Sequence, residues 1–190
     1  MKFANIIGWG KCLPPAVLTN DDLSTFLDTN DEWIVSRTGM KQRRISHVPV
    51  SDLAHVAAVR ALAAAGIEAS ELDLIIFGSC TPYEVVPNTA SPIQHLLGIK
   101  TTAAFDLNTA CTSGMYALSV ASSMIKTGAI KKALVIGAEI ASSVQDWTNR
   151  NVAVLFGDGA AAFVLDGTDK EEGILAEKLG CFAASRNILQ

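Results

Sequence analysis

The segment Phe105-Asp106-Leu107-Asn108-Thr109-Ala110-Cys111-Thr112-Ser113-Gly114 leads an apolar, strand-like run directly into a long stretch of helix formers. The helix predicted there, Thr112 to Thr127, carries apolar or small residues almost all round, including Met115, Ala117, Leu118, Val120, Ala121, Ser122 and Ile125. Its first charge is Lys126. A helix without a polar face is expected to lie inside a protein. Gly128 stands where a helix-ending glycine belongs.

The same alternation extends in both directions. Runs rich in branched residues at Phe3 to Gly8, Leu72 to Gly78, Ala103 to Leu107, Ala133 to Gly137 and Ala160 to Leu165 read as strands. Asp52 to Ala65, closed by Gly66, reads as a second long helix. Strands interleaved with helices imply a layered α/β domain. The later strands are nearly continuous apolar runs, the pattern of a sheet covered by helices on both faces. No repeat, low-complexity tract or linker divides the chain.

The bulk properties exclude several classes of function. The chain of 190 residues, 49% hydrophobic and 18% charged, can bury a sizeable core, so it is not a disordered segment. A formal net charge of −4, with only small basic clusters such as Lys41, Arg43 and Arg44, argues against nucleic acid. The amino terminus alternates apolar and polar residues and soon meets Gly8, Gly10 and Pro14, which fits neither a signal peptide nor a membrane span. A soluble cytoplasmic protein is expected. Cys12, Cys80, Cys111 and Cys181 form no CxxC pair and only three histidines accompany them, so no metal site is expected. In the absence of an export signal disulfides are not expected either, and each cysteine is first read as a small buried hydrophobe.

Local context sets Cys111 apart. It falls where a strand gives way to an interior helix, at or near the first turn. Unpaired N–H groups and the positive end of the helix dipole at such positions can lower a thiol pKa from about 8.5 into roughly the 3.5 to 7.5 range. The same N–H groups can hold an oxyanion.

With its flanks, Cys111 resembles the nucleophile turn of the thiolase superfamily, most closely the β-ketoacyl-[acyl-carrier-protein] synthase III family. Thr29-Asn30-Asp31-Glu32-Trp33-Ile34-Val35-Ser36-Arg37-Thr38-Gly39 is similar to that family's coenzyme-binding segment, and Phe156-Gly157-Asp158-Gly159-Ala160 to its FGDGA turn. Lys131 to Glu139 and Ile6-Ile7-Gly8 fit in order and spacing. The resemblance runs to about Gly173, and the segment from Gly180 to Gln190 carries nothing diagnostic.

The resemblance implies a thiolase-like α/β fold in which residues 1–190 form the amino-terminal α/β/α half of a five-layered αβαβα arrangement, the carboxy-terminal half being absent. It implies that Cys111 accepts an acyl group from acyl-CoA, after which a malonyl-carrier thioester loses carbon dioxide and attacks the acyl-enzyme. No cofactor is implied beyond these substrates. The implied partners are acyl-CoA, acyl carrier protein, the carboxy-terminal half and a second copy in a homodimer. Trp33 and Arg150 map to the pair that sandwiches the coenzyme's adenine, and Arg37 and Thr29 to further coenzyme contacts. Bland alternatives for these four are a half-buried aromatic, two solvated arginines and a cap. Phe156 resembles an acyl-pocket wall, or is simply a core phenylalanine. Gly157, Asp158 and Gly159 read as a tight structural turn, in which glycine supplies positive φ and aspartate bonds local amides.

Two departures matter. The gating position before Pro87, which the family supplies across the dimer to its partner's acyl pocket and often fills with phenylalanine, falls on Val86. A smaller residue predicts a primer longer or bulkier than acetyl. The family's histidine and asparagine for decarboxylation belong to a second half this sequence lacks, and His47, His55 and His95 occupy no motif position. Residues 1–190 alone are therefore expected to load an acyl group but not condense. Readings within the same fold are a starter-loading polyketide synthase, a head-to-head acyl-condensing enzyme and hydroxymethylglutaryl-CoA synthase. Outside enzymology, the chain would be a non-catalytic scaffold subunit.

Overall fold

The computed structural model of the chain describes residues 2–188, so Met1, Leu189 and Gln190 lie outside the account that follows. Its centre is a five-stranded sheet built from β1 (Phe3–Cys12), β4 (Leu74–Gly78), β5 (Ala103–Leu107), β6 (Lys132–Ile140) and β7 (Asp158–Thr168). The strand order is β1-β7-β6-β4-β5, with β4 parallel to β5 and β6, and β7 antiparallel to β6 and β1. All five strands are those expected from the sequence, several of them longer.

Two helices sandwich this sheet. On one face α3 (Val50–Ala65) packs with Ile75 and Phe77 of β4 and with Leu134, Ile136 and Ala138 of β6. On the other, Ala117, Ala121 and Ile125 of α5 (Ser113–Lys126) pack with the alternate residues, Leu74 and Ile76 of β4 and Ala133 and Val135 of β6. Successive strand residues thus enter different cores, which is why β4 reads as one unbroken apolar run. Burying an isoleucine or phenylalanine on either side contributes roughly 1.5–3 kcal/mol each. Gly8 and Gly10 permit the close seat of α3, because a Cβ at either would meet the backbone of that helix at Ala61 or Ala57.

Within the described chain α5 is not buried all round, as the sequence suggested. Met115 is 66% exposed while Ala117, Ala121 and Ser122 are buried. The short α4 (Ala90–Leu96) joins the α3 face, and its first N–H groups, from Thr89 and Ala90, donate to the Asp106 carboxylate at 2.7 and 2.8 Å.

A smaller unit escaped the sequence reading. Strands β2 (Ala16–Thr19) and β3 (Gln42–Ile45) form a two-stranded antiparallel sheet, between which lie α1 (Asn20–Ser24) and α2 (Asp31–Thr38). Leu23, Leu27 and Ile34 from this unit form a separate core with Ala153 and Val154 of the α6 region, α6 being Arg150–Ala153. Arg43 fastens the two parts together. It is 4% exposed and donates to Asn20 Oδ1 at 2.9 Å and to the Val154 carbonyl at 3.1 Å. It is therefore not part of a solvated basic cluster, and burial lowers its pKa from the ordinary arginine value.

Candidate active site

Cys111 follows β5 and precedes α5 by two residues, with Thr112 at the helix cap. Immediately before it, Ala110 sits at φ 55°, in the left-handed region that costs a non-glycine residue roughly 1 kcal/mol. A compact set of bonds holds this kink. The Ser113 hydroxyl accepts from Thr109 N–H at 2.9 Å and donates to the Ala110 carbonyl at 2.6 Å. Thr112 Oγ1 donates to the Thr109 carbonyl at 2.7 Å, and Ala110 N–H donates to Asn108 Oδ1 at 2.9 Å.

The start of α5 presses on the ends of the central strands where those strands carry glycine. A Cβ on Gly78 would come within 2.8 Å of the Ser113 backbone, and one on Gly114 within 3.8 Å of Gly137 Cα. Cys111 is thereby set over the carboxyl ends of parallel strands β4 and β5, the usual place for a ligand in an open α/β sheet. It is exposed and lines a cavity of about 640 Å³, together with Cys80, Glu139, Val144, Gln145, Val152, Phe156 and several glycines. Phe156 thus stands in the cavity wall. Val86 does not; it lies 88% exposed in the loop after β4.

The expectation of buried cysteines fails for Cys80 and Cys181 and holds in part for Cys12, which packs against the α3-face core. Cys12 is half-buried and the others are exposed. Cys80 shares the Cys111 cavity, in keeping with the family resemblance, which aligns it near the acyl pocket as a packing residue. Its thiol pKa is raised above the ordinary value by partial burial, then by the charge of Glu139 and a hydrogen bond to it, and by the charge of Cys111. Because the residue is exposed, the Glu139 contribution is the part of that shift a substitution can test. Glu139 also organises the loop: its carboxylate accepts from Ser79 Oγ at 3.1 Å, Cys80 N–H at 2.8 Å, Thr81 N–H at 3.0 Å and the Thr81 hydroxyl.

Trp33 is brought together with both arginines expected beside it. The Arg37 and Arg150 guanidinium carbons lie 4.7 and 4.9 Å from its ring centroid. Asn30 caps α2 by accepting from Trp33 N–H at 2.8 Å, and Arg150 donates to the Asp28 carbonyl at 2.7 Å. Thr29 adjoins this cluster in sequence, and its hydroxyl is buried with no hydrogen-bond partner. Trp33 does not reach the Cys111 cavity. Helix α6 connects the two places, since Arg150 faces Trp33 and Val152 lines the cavity.

The reading of Gly157, Asp158 and Gly159 as a positive-φ turn needs correcting. Neither glycine has positive φ, and Asp158 opens β7. Gly157 is small because a Cβ would come within 2.9 Å of Arg43 Cβ. Asp158 is 6% exposed and bonds distant groups rather than local ones: Ser46 N–H at 2.7 Å, Ser142 N–H at 3.0 Å and Ser142 Oγ at 2.6 Å. Its role is structural, through long-range ties. His47, His55 and His95 lie outside the cavity. Among the described residues no group of three or more His, Cys, Asp or Glu is placed to hold a metal, and no helix is long and apolar enough to cross a membrane.

Residues 105–182 match the family model described as 3-oxoacyl-[acyl-carrier-protein] synthase III. The chain is 57% identical over 187 residues to β-ketoacyl-[acyl-carrier-protein] synthase III 2 of Vibrio vulnificus, covering 98% of this chain and 52% of the relative. The crystal structure of 3-oxoacyl-[acyl-carrier-protein] synthase III from Aquifex aeolicus superposes with a TM-score of 0.87 at 46% identity, over 88% of this chain and 55% of that one. The chain belongs to the β-ketoacyl-[acyl-carrier-protein] synthase III family. The priming β-ketosynthase of the R1128 polyketide pathway, a further structural relative, gives a TM-score of 0.86 at 33% identity, over 88% of this chain and 51% of that one. The chain spans about half the length of the curated relatives it matches. The thiolase-like α/β fold expected from the sequence is the fold observed.

Proposed function

We propose that this chain supplies the acyl-accepting half of a condensing enzyme that joins an acyl-CoA primer to a malonyl-carrier thioester, in fatty-acid or related secondary-metabolite initiation. One observation carries the reading: the thiol of Cys111 is exposed at a strand-to-helix junction and opens on a cavity of about 640 Å³ whose lining includes Val144, Val152 and Phe156. In the first step the Cys111 sulfur attacks the acyl carbonyl carbon. A new C–S bond forms, the bond to the coenzyme sulfur breaks, and the coenzyme leaves as its thiol with the cysteine's proton. The thioester preserves the activation of the acyl group. In the second step the malonyl unit loses carbon dioxide, its α-carbon attacks the acyl-enzyme, and the β-ketoacyl product departs as the Cys111 thiol is restored. The decarboxylating groups would come from a carboxy-terminal half, and no described residue of this chain takes that role.

Trp33, Arg37, Arg150 and Thr29 would hold the coenzyme. Adenine stacked between Trp33 and Arg150 needs two contacts of about 3.5 Å, so Arg150 must withdraw from its present 4.9 Å. Val86, in an exposed loop, would reach a partner's acyl pocket in a cytoplasmic homodimer, leaving room for a primer longer than acetyl. Likeness to the priming β-ketosynthase supports polyketide starter loading as the second reading.

Intact-mass measurement after incubation with acyl-CoAs of increasing length tests the first step. An adduct equal to the acyl group, lost in Cys111→Ala, is the expected result. A protein that takes up no acyl group from any chain length, with its companion half present, would be a scaffold instead.

A further inference from the structure

Apart from its two cysteines, four side chains with hydrogen-bonding groups line the Cys111 cavity: Thr81, Ser113, Glu139 and Gln145. Three are already engaged within the protein. Thr81 Oγ1 donates to Glu139 and accepts from Ile140 N–H at 2.9 Å. Ser113 Oγ both accepts and donates in the turn around Ala110. The Glu139 carboxylate accepts four bonds from residues 79–81.

Gln145 differs from these three. The oxygen and the nitrogen of its side-chain amide are both buried, and neither has a hydrogen-bond partner. Its backbone is anchored, with N–H donating to the Ala141 carbonyl at 3.1 Å. Its neighbours in the cavity wall include Val144, Val152 and Phe156, which offer the amide nothing. Native proteins leave few buried polar groups unpaired. A site that holds such a group ready discriminates strongly for a ligand able to satisfy it, because the unsubstituted analogue leaves it unpaired.

We infer that Gln145 is a specificity-determining residue that hydrogen-bonds a hydroxyl group on the acyl chain bound at Cys111, so that the site takes hydroxyacyl thioesters in preference to plain acyl thioesters of the same length. A hydroxyl suits this amide because it can donate to Oε1 or accept from Nε2, once the side chain turns its covered amide toward the acyl chain. The inference rests on the acyl-loading reading above and names the substrate class of that site.

The test compares loading of Cys111 by octanoyl-CoA with loading by its 3-, 5- and 8-hydroxy derivatives, using the full polypeptide in which this chain is made. At least one hydroxyoctanoyl isomer is expected to load with kcat/KM about tenfold above octanoyl, the ratio that one additional neutral hydrogen bond gives. Gln145→Met and Gln145→Leu should bring that ratio to about one, whatever their absolute rates. Equal loading of all four substrates by the unaltered protein overturns the inference while leaving acyl loading intact. A ratio preserved in both variants overturns it as well, by showing that Gln145 only fills space. Loading by none of the four removes this inference together with the function it refines.

Discussion

Replacing Glu139 by glutamine tests the carboxylate that organises the cavity loop. In the native chain Oε1 accepts from Cys80 N–H, and Oε2 accepts from Ser79 Oγ, Thr81 N–H and Thr81 Oγ1. An amide has a single acceptor oxygen. Turned toward the three donors, it leaves its own NH2 against Cys80 N–H, so one bond becomes an opposition of donors. The remaining three lose the assistance of charge. Charge-assisted bonds contribute about 1.5–3 kcal/mol and neutral ones about 0.5–1.5. Allowing for partial exposure and non-additivity, the variant should lose about 2–3 kcal/mol. For a chain of this size that corresponds to a Tm lower by about 4–12 °C. The substitution also removes the negative charge beside Cys80, which helps to hold that thiol pKa above its ordinary value of 9.0. In Glu139→Gln the Cys80 pKa falls, and iodoacetamide should label Cys80 several-fold faster at pH 8 to 9, as read by peptide mass spectrometry. An unchanged Tm together with an unshifted Cys80 labelling profile would refute the account of this loop.

Further consequences follow from the same geometry. Gly78→Ala places a Cβ against the Ser113 backbone, which cannot swing aside, so it should cost about 1–3 kcal/mol and slow acyl loading by displacing Cys111; urea unfolding and intact mass report both effects. Arg150→Ala should weaken acyl-CoA binding about tenfold by calorimetry, the order of one desolvated cation–π contact, while alkylation of Cys111 by iodoacetamide keeps its rate. Cys80 ionises later in the folded than in the unfolded chain, so its contribution to stability is constant below pH 9.0 and declines as pH rises above that value; denaturant midpoints between pH 8 and 10.5 should fall less in Cys80→Ser. Expressed alone, residues 1–190 should elute from size-exclusion chromatography as species larger than 20.1 kDa, because α5 leaves Met115 uncovered.

The sequence by itself determined the elements whose information is periodic and local. The unbroken apolar run of β4 announced a sheet covered on both faces, and the passage from Phe105 into a helix with no charge before Lys126 placed Cys111 at its junction. Trp33 and its two arginines were legible only through the family motif, since nothing in residues 29–39 alone points across the chain to Arg150. The tertiary structure decided the rest. The pair β2 and β3 is four residues a strand and partly polar, too short for period-2 alternation to stand out. Cys80 enters the Cys111 cavity from the loop after β4, and Glu139 and Gln145 enter it from the end of β6 and the turn that follows. The glycines flanking Asp158 look like a turn in sequence, yet Gly157 is small because Arg43, more than a hundred residues earlier, packs against it, and Gly159 because Leu13 does. Periodicity records which side of an element faces inward; it does not record which distant atoms arrive there. Those contacts exist only after the chain has closed upon itself, and they decide which groups of the cavity are satisfied and which, like the Gln145 amide, are left open.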